Sequence, residues 1–472
     1  MKKSIQKRGI YPLPYLIAII ISISLLLNFL SIGNANAQSN LDDEVTRKFD
    51  NTVPDLLAKY SVPGASISYI SYGKIVFSKG YGVKSILSHS KTDCNTIYEV
   101  GSNGKMLVAY IWLKLANEGK LNIDEPIGNY IKDPWIKDDL LSKKITVRQL
   151  LSHTSGLSNS FEVFVDKKIH FEPGSKYCYS GVGYMYLQKI IENITGKSFE
   201  EIAEKYVFVP LDMNSSSFVR PNKFFRNAAS PNMDIKLIFM YTLIPFLFFF
   251  AVIYFLGFVI GLISKFKYYL KSKLFIVSLL LAFIADIAIF ILLNLSKMII
   301  PIFLVGIIFT TVTIALRAIT KKIYLSAGIS LALLLILAFL LKIHAPIGNE
   351  IIPTRANPAF SLKSTSDDMI KFTAELINEF YSDTTSIKDL FKEQVEVDKT
   401  NGWGLGIGID KKQKGVTYWH SGINPGSQSL VVIDVKNKNG IVILTNSDTG
   451  LDFAKEVARL TLNIDGEWNI KR

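Results

Sequence analysis

Val100-Gly101-Ser102-Asn103-Gly104-Lys105-Met106-Leu107 is the stretch on which the reading of the fold turns. Ser102 and Lys105 stand in an S-x-x-K spacing, which on a helix puts both side chains on one face, a turn apart. A serine hydroxyl is a weak nucleophile until a neighbouring base takes its proton, and the lysine supplies that neighbour. A helix N-terminus adds a positive field where an oxyanion develops. The spacing alone is common, because Ser4/Lys7, Ser71/Lys74, Ser88/Lys91 and Ser264/Lys267 share it. Ser102 differs in context. A short apolar stretch ends at Gly101, and Met106, Leu107, Tyr110, Ile111 and Leu115 follow at helical intervals until Gly119 closes the run.

Outward from this helix the chain reads as strands. Residues 65–70 alternate, Tyr72-Gly73-Lys74 makes a turn, and Ile75 to Phe77 begins the return strand of a hairpin. A second hairpin lies near the other end: residues 429–433, a polar turn at 436–440, and residues 441–444. A helical run follows from about Asp452 to Leu462. Strands at both ends with helical sequence between them predict an α/β (α+β) domain whose antiparallel sheet is assembled from distant parts of the chain.

Something apolar interrupts that domain. The 472 residues are 49% hydrophobic, with a mean hydropathy of +0.27, high for a purely soluble protein. The formal charge is +13, and its placement is informative. Residues 1–37 carry Lys2, Lys3, Lys7 and Arg8 without an acid, and residues 234–345 carry ten basic and two acidic side chains. The rest is nearly neutral. A basic excess beside apolar segments is a membrane-topology signal, so nucleic acid is excluded as a partner.

Residues 1–37 read as an export signal: a basic start, an apolar stretch over 16–32, and Ala35-Asn36-Ala37 at a cleavage spacing, with an uncleaved anchor as the alternative. Four apolar runs, 237–263, 274–295, 298–316 and 323–341, each approach the length that spans about 30 Å of hydrocarbon. Lys265, Lys267, Lys271 and Lys273 mark the first connection as cytoplasmic, and Arg317, Lys321 and Lys322 the third. Both flanks then lie outside the cytoplasm, as the export signal also requires. The predicted organisation is a signal or anchor (1–37), a first soluble part (38–233), a four-helix transmembrane insertion (234–345) and a second soluble part (346–472). The protein is thus expected in the cytoplasmic membrane, multi-pass, in contact with the lipid bilayer. Asp286, inside the second run, is either a hydrogen-bonding group of the bundle or a transport residue.

Two further elements complete the Ser102 pattern. Tyr179-Ser180-Gly181 follows Pro173-Gly174, and His420-Ser421-Gly422 begins a strand after the glycine-rich run 402–406. Taken in order, these resemble the serine β-lactamase and penicillin-recognising family, especially its class C-like branch with related esterases and D-amino-acid peptidases. The resemblance extends to residues 119–126 (GKLNIDEP), 145–157 (ITVRQLLSHTSGL), 171–175 (FEPGS), 210–213 (PLDM) and 364–369 (STSDDM). It covers roughly 55–220 and 357–462.

The resemblance implies an acylated nucleophile at Ser102, a base or proton relay at Lys105, and proton exchange by Tyr179. His420 takes the first position of the strand motif, Lys in many members and His in esterase-like and peptidase-like ones. The backbone N–H groups of Ser102 and Ile423 match the oxyanion-hole donors, and Ser421, Gly422 and Gly181 match substrate-binding positions. One departure is Gly181, where class C β-lactamases have an Asn that holds the substrate amide. With His420, this favours esters, peptides or D-amino-acid peptides of cell-wall origin over β-lactams, which become mimics or poor substrates. His420 is expected to titrate near pH 6.5 and to constrain anionic substrates less than a lysine. His153 is read as structural. The glycine-rich 402–408 run is read as a strand lined with small residues, not a phosphate loop.

No metal or organic cofactor is implied, and the sequence does not indicate an oligomeric state. Cys94 and Cys178 are too few for a disulfide framework or a thiolate zinc site; whether they pair or stay as two thiols is left open. A competing reading is a sensor that binds cell-wall fragments or β-lactams without turnover. The short cytoplasmic connections, 264–273 and 317–322, leave it no room for an effector domain.

Overall fold

The computed structural model describes residues 43–86, 88–131, 140–159, 168–219, 227–232, 356–383, 386–412 and 415–470. The predicted signal, all four apolar runs and Asp286 lie outside the described residues. Among those described, no helix is long and apolar enough to cross a membrane. Two compact units are distinguished, Met1–Asp55 and Leu56–Arg472. In the first, the described residues 43–55 are helical.

The second unit is organised by an eight-stranded antiparallel sheet. Its strands are β1 (Gly64–Ser71), β2 (Lys74–Gly82), β5 (Val395–Glu396), β6 (Asn401–Trp403), β7 (Gly408–Asp410), β8 (Thr417–Asn424), β9 (Ser427–Asp434) and β10 (Asn439–Thr445). Their spatial order is β2-β1-β10-β9-β8-β7-β6-β5, so the β1–β2 hairpin joins the rest of the sheet through β1, which pairs with β10 more than three hundred residues further along the chain. Both expected hairpins form, β1–β2 and β9–β10. The sheet is indeed built from distant parts of the chain. A short pair, β3 (Tyr98–Glu99) and β4 (Lys363–Ser364), ties the segment before Ser102 to residues that follow the apolar runs.

Helix α1 (Gly104–Asn117) is the centre of the core. Gly104 through Leu113 and Leu115 are all buried, as expected of a helix that is apolar on nearly every side. It shares one buried cluster with α2 (Val147–Leu151), α3 (Gly181–Thr195), α4 (Phe199–Ala203) and α5 (Ser366–Phe380). Val431, Ile433, Val442 and Leu444 join that cluster from β9 and β10. Strand alternation turns the intervening Leu430, Val432, Ile441 and Ile443 to the opposite face. Helix α6 (Gly450–Leu462), slightly longer than expected, packs against β9 and β10.

Two expectations need correcting. The glycine-rich run is two short strands with a tight turn between them, closed by the Gly404 N–H donating to the Ile407 carbonyl at 2.8 Å. And His420 does not begin a strand; it lies in the middle of β8, opposite Val431 of β9.

Candidate active site

Ser102 sits in a single 3-10 turn, Gly101–Asn103, that leads into α1. Neither terminus uses a side-chain cap, so the Ser102 hydroxyl is not consumed in holding the helix. Gly101 has φ +54 and lies so close to β8 that a Cβ there would meet the Ile423 nitrogen at 3.2 Å. A Cβ on Gly422 would fall 2.0 Å from the Val100 carbonyl oxygen. The turn and strand β8 therefore touch backbone to backbone, which only glycine permits. Asn103 fastens the turn to β9 by donating from Nδ2 to Ser429 Oγ at 2.6 Å.

The sequence-predicted residues converge here. Lys105 is fully buried, and its Nζ donates to Ser102 Oγ at 3.1 Å and to the Ala359 carbonyl at 2.5 Å. Ser102 Oγ itself reaches the same carbonyl at 3.3 Å. The ammonium lies 5.1 Å from the ring centre of Tyr179 and 5.2 Å from that of Tyr184. The Ile423 backbone nitrogen lies beside Gly101, the residue before Ser102. The Ile423 side chain is 43% exposed, an apolar group on the rim.

Tyr179 is held by its neighbours in the chain. The Cys178 N–H donates to the His153 carbonyl at 2.8 Å, and the Ser180 N–H donates to His153 Nδ1 at 3.0 Å. One residue thus holds both chain neighbours of Tyr179, while its ring centre lies 4.2 Å from that of Tyr179 at a 40° tilt. His153 has φ +60 and is fully buried. Burial, with the Lys105 charge and the neighbouring His420, keeps its pKa well below the usual histidine value. The structural reading of His153 holds, and the structure gives its purpose as the clamp on Tyr179.

Gly181 opens α3, and its N–H donates to Asn159 Oδ1 at 3.0 Å. An amide side chain therefore stands at this corner, but it comes from Asn159 and not from position 181. Cys94 and Cys178 are both free thiols, and burial raises the pKa of Cys178.

His420 corrects an expectation. Its ring is fully buried, 6.2 Å from Tyr179 and 5.5 Å from Trp403. Burial and the nearby Lys105 charge push its pKa down to about 3. It does not titrate near pH 6.5; it is a neutral imidazole through the physiological range. Trp403, Tyr177 and the Ala359 carbonyl are site components the sequence reading did not find. A usable signal existed for Tyr177: it stands two residues before Tyr179 in an extended segment, which puts it on the same side. Among the described residues, no cluster of metal-ligating side chains occurs.

Fold and site together define an α/β enzyme domain in which a serine–lysine pair at the head of a buried helix faces a strand of the central sheet. The chain belongs to the beta-lactamase family: the family's sequence model matches residues 49–237 and 319–465, well over half of the protein. Protein flp of Staphylococcus aureus (strain MW2) is 28% identical over 199 residues, 39% of this chain and 40% of the relative. Teichoic acid D-alanine hydrolase of Staphylococcus aureus (strain MRSA252) is 29% identical over 182 residues, 36% of this chain and 45% of the relative. Both alignments span less than half of these relatives' length. In fold, the chain is similar to the octameric penicillin-binding protein homologue from Pyrococcus abyssi, with a TM-score of 0.56 at 19% identity over 89% of this chain and 77% of that one.

Proposed function

We propose that this protein is a membrane-integrated hydrolase working outside the cytoplasm through an acyl-enzyme on Ser102, with ester, peptide or D-amino-acid peptide substrates. The observation that carries this reading is the 3.1 Å contact between Lys105 Nζ and Ser102 Oγ at the head of α1. Ser102 Oγ attacks the substrate carbonyl carbon while its proton passes to the Lys105–Tyr179 pair. The backbone N–H groups of Ser102 and Ile423 receive the oxyanion. Collapse breaks the bond to the leaving group, which departs with the relayed proton. Water then adds to the acyl-enzyme by the same route, and releases the acid and Ser102. The similarity to a teichoic acid D-alanine hydrolase favours D-alanyl esters among these substrates.

The membrane reading draws on the apolar runs and on where the described chain leaves and re-enters. The Asn232 N–H donates to the Gly426 carbonyl in the β8–β9 turn at 3.0 Å. On the far side, Ala359 accepts from Lys105, and Asn424 Nδ2 donates to the Phe360 carbonyl at 3.3 Å. The described residues on either side of 233–355 thus lie against strand β8, its turn and Lys105, which fits an insertion that holds the cleft near the bilayer for membrane-proximal substrates.

The test is hydrolysis of p-nitrophenyl esters, D-alanyl esters, D-alanyl peptides and a chromogenic cephalosporin by the full chain in detergent or nanodiscs. The reading expects Ser102-dependent turnover of esters or peptides and little of the cephalosporin. Equal D-alanyl ester activity after replacing 234–345 with a soluble linker, on free and lipid-linked substrates alike, overturns the membrane-proximity part.

A further inference from the structure

The glycine-rich run over 402–408 holds none of the reacting groups, yet it reaches two of them. Gly406, in the turn between β6 and β7, has φ +72. Its N–H donates to the Leu151 carbonyl at 3.0 Å, and Tyr184 Oη donates to the same oxygen at 3.0 Å. Leu151 ends α2, two residues before the His153 that clamps Tyr179. A Cβ on Gly406 would lie 2.8 Å from the Lys105 carbonyl oxygen, 2.9 Å from the Ala109 Cβ and 3.0 Å from Tyr184 Oη. Lys105 and Ala109 stand one helical turn apart, so Gly406 packs by its bare backbone on the part of α1 that carries the lysine. No carbon packs that close, and any side chain at 406 moves the turn or the helix.

Trp403, the last residue of β6, is buried at the other end of the turn. Its ring lies edge to face at 5.9 Å from Tyr179, and 5.3 Å from His153. The turn between them is closed by the Gly404–Ile407 hydrogen bond and tied down where the Leu405 N–H donates to the Leu390 carbonyl at 3.0 Å. One end of the run thus touches the backbone of the base, and the other touches the rings around the tyrosine. We infer that the run is a spacer, with Gly406 and Trp403 as positioning residues that set the separation of Lys105 from Tyr179.

The inference rests on the serine–lysine reading above. In acylation the ester C–O bond breaks, and the leaving oxygen takes up the proton given by Ser102 Oγ and relayed by Lys105 and Tyr179. Ser102 and Lys105 share one helix start and move together, whereas Tyr179 is held by His153. A shift of the spacer therefore leaves the nucleophile with its base and lengthens the path to the leaving group. Alkyl esters and amides, whose leaving groups depart only with a proton, depend on that path; aryl esters, whose phenolates leave as anions, depend on it little. The spacer accordingly governs which leaving groups the enzyme accepts.

The test compares the ethyl and p-nitrophenyl esters of D-alanine in full-length wild type and Gly406→Ala, using kcat/KM, which covers the step in which the leaving group departs. The ethyl ester is expected to fall about 10²-fold and the p-nitrophenyl ester about threefold or less. Fluorophosphonate labelling, whose fluoride leaves without a proton, is expected to stay close to wild type. A merely structural role lowers both esters and the labelled fraction in proportion. If Gly406→Ala does not fold, Trp403→Phe decides, since it keeps a ring in the core and is expected to shift the ester ratio in the same direction. An ester ratio unchanged from wild type in the folded variant overturns the spacer alone, provided wild type is labelled and active. Wild type that turns over neither ester overturns this inference together with the ester part of the hydrolase reading.

Discussion

The Ser102 turn and the wall that faces it are both buried and both polar, yet they are organised in opposite ways. On the turn, Ser102 Oγ, Lys105 Nζ and Asn103 Nδ2 all have partners, and only Asn103 Oδ1 is left over. On the wall, His153 Nε2, Tyr177 Oη, Trp403 Nε1 and His420 Nε2 are all buried without one. The turn is fixed in place by the fold itself. The wall is fixed by aromatic packing, which leaves its polar atoms unspent. The two histidines show how such a wall is tuned. The His153 Nδ1 accepts from a peptide N–H, so its proton sits on Nε2; the His420 Nδ1 donates to a carbonyl, so its proton sits on Nδ1. Whatever meets Nδ1 decides what Nε2 offers to the site.

Four experiments break or sharpen this contrast. The largest effect is expected from Ser102→Ala, which lowers ester kcat/KM by about 10³-fold or more while leaving the melting temperature nearly unchanged, because both hydrogen bonds of its hydroxyl are long and Lys105 Nζ keeps the Ala359 carbonyl as a partner. Next is His153→Ala. It strands the Ser180 N–H and opens a void among Tyr179, Tyr184 and Trp403, so urea unfolding is expected to show a loss of about 2–4 kcal/mol, together with a fall in kcat as Tyr179 loses its clamp.

The third is pH dependence. Both histidine pKa values are lowered in the fold, so above about pH 6.5 each is neutral in either state, and the stability this supports is fully present. As pH falls below that value the unfolded chain takes up protons that the native state refuses. Stability is then expected to drop by about 1.4 kcal/mol per pH unit for each imidazole, with His420 itself protonating in the fold only at about 3. Denaturation between pH 7 and 5 reads this directly, and His420→Gln should remove its share of the slope. An inflection in kcat/KM near pH 6.5 that disappears in the same variant contradicts the neutral wall. The smallest effect belongs to Lys144→Ala. Its pair with Glu172 is exposed on both sides, and its removal is expected to change stability by less than about 0.5 kcal/mol.

What could be read in the sequence was what is local. Ser102 and Lys105 are three residues apart on a helix, and the two hairpins announce themselves by alternation and polar turns. The Ala359 carbonyl that anchors Lys105 stands 254 residues away, across the apolar runs, and no spacing rule reaches that far. The position of His420 in mid-strand and its lowered pKa are not legible, because a sequence shows neither the depth of a strand nor the charge lying against it. The glycine-rich run reads as one strand because small residues suit a strand and a tight turn alike. The sequence marks His153 as structural, but its grip on both neighbours of Tyr179 goes with a left-handed backbone position that composition does not reveal.

The central claim is that Ser102 is activated by the Lys105 beside it. It is tested most directly by fluorophosphonate labelling of the detergent-solubilised full-length protein and of Ser102→Ala, read by intact mass and by mapping of the labelled peptide. The account predicts a single adduct on Ser102, absent from the variant. A folded wild type that takes no label, or one labelled equally well without Ser102, would contradict it.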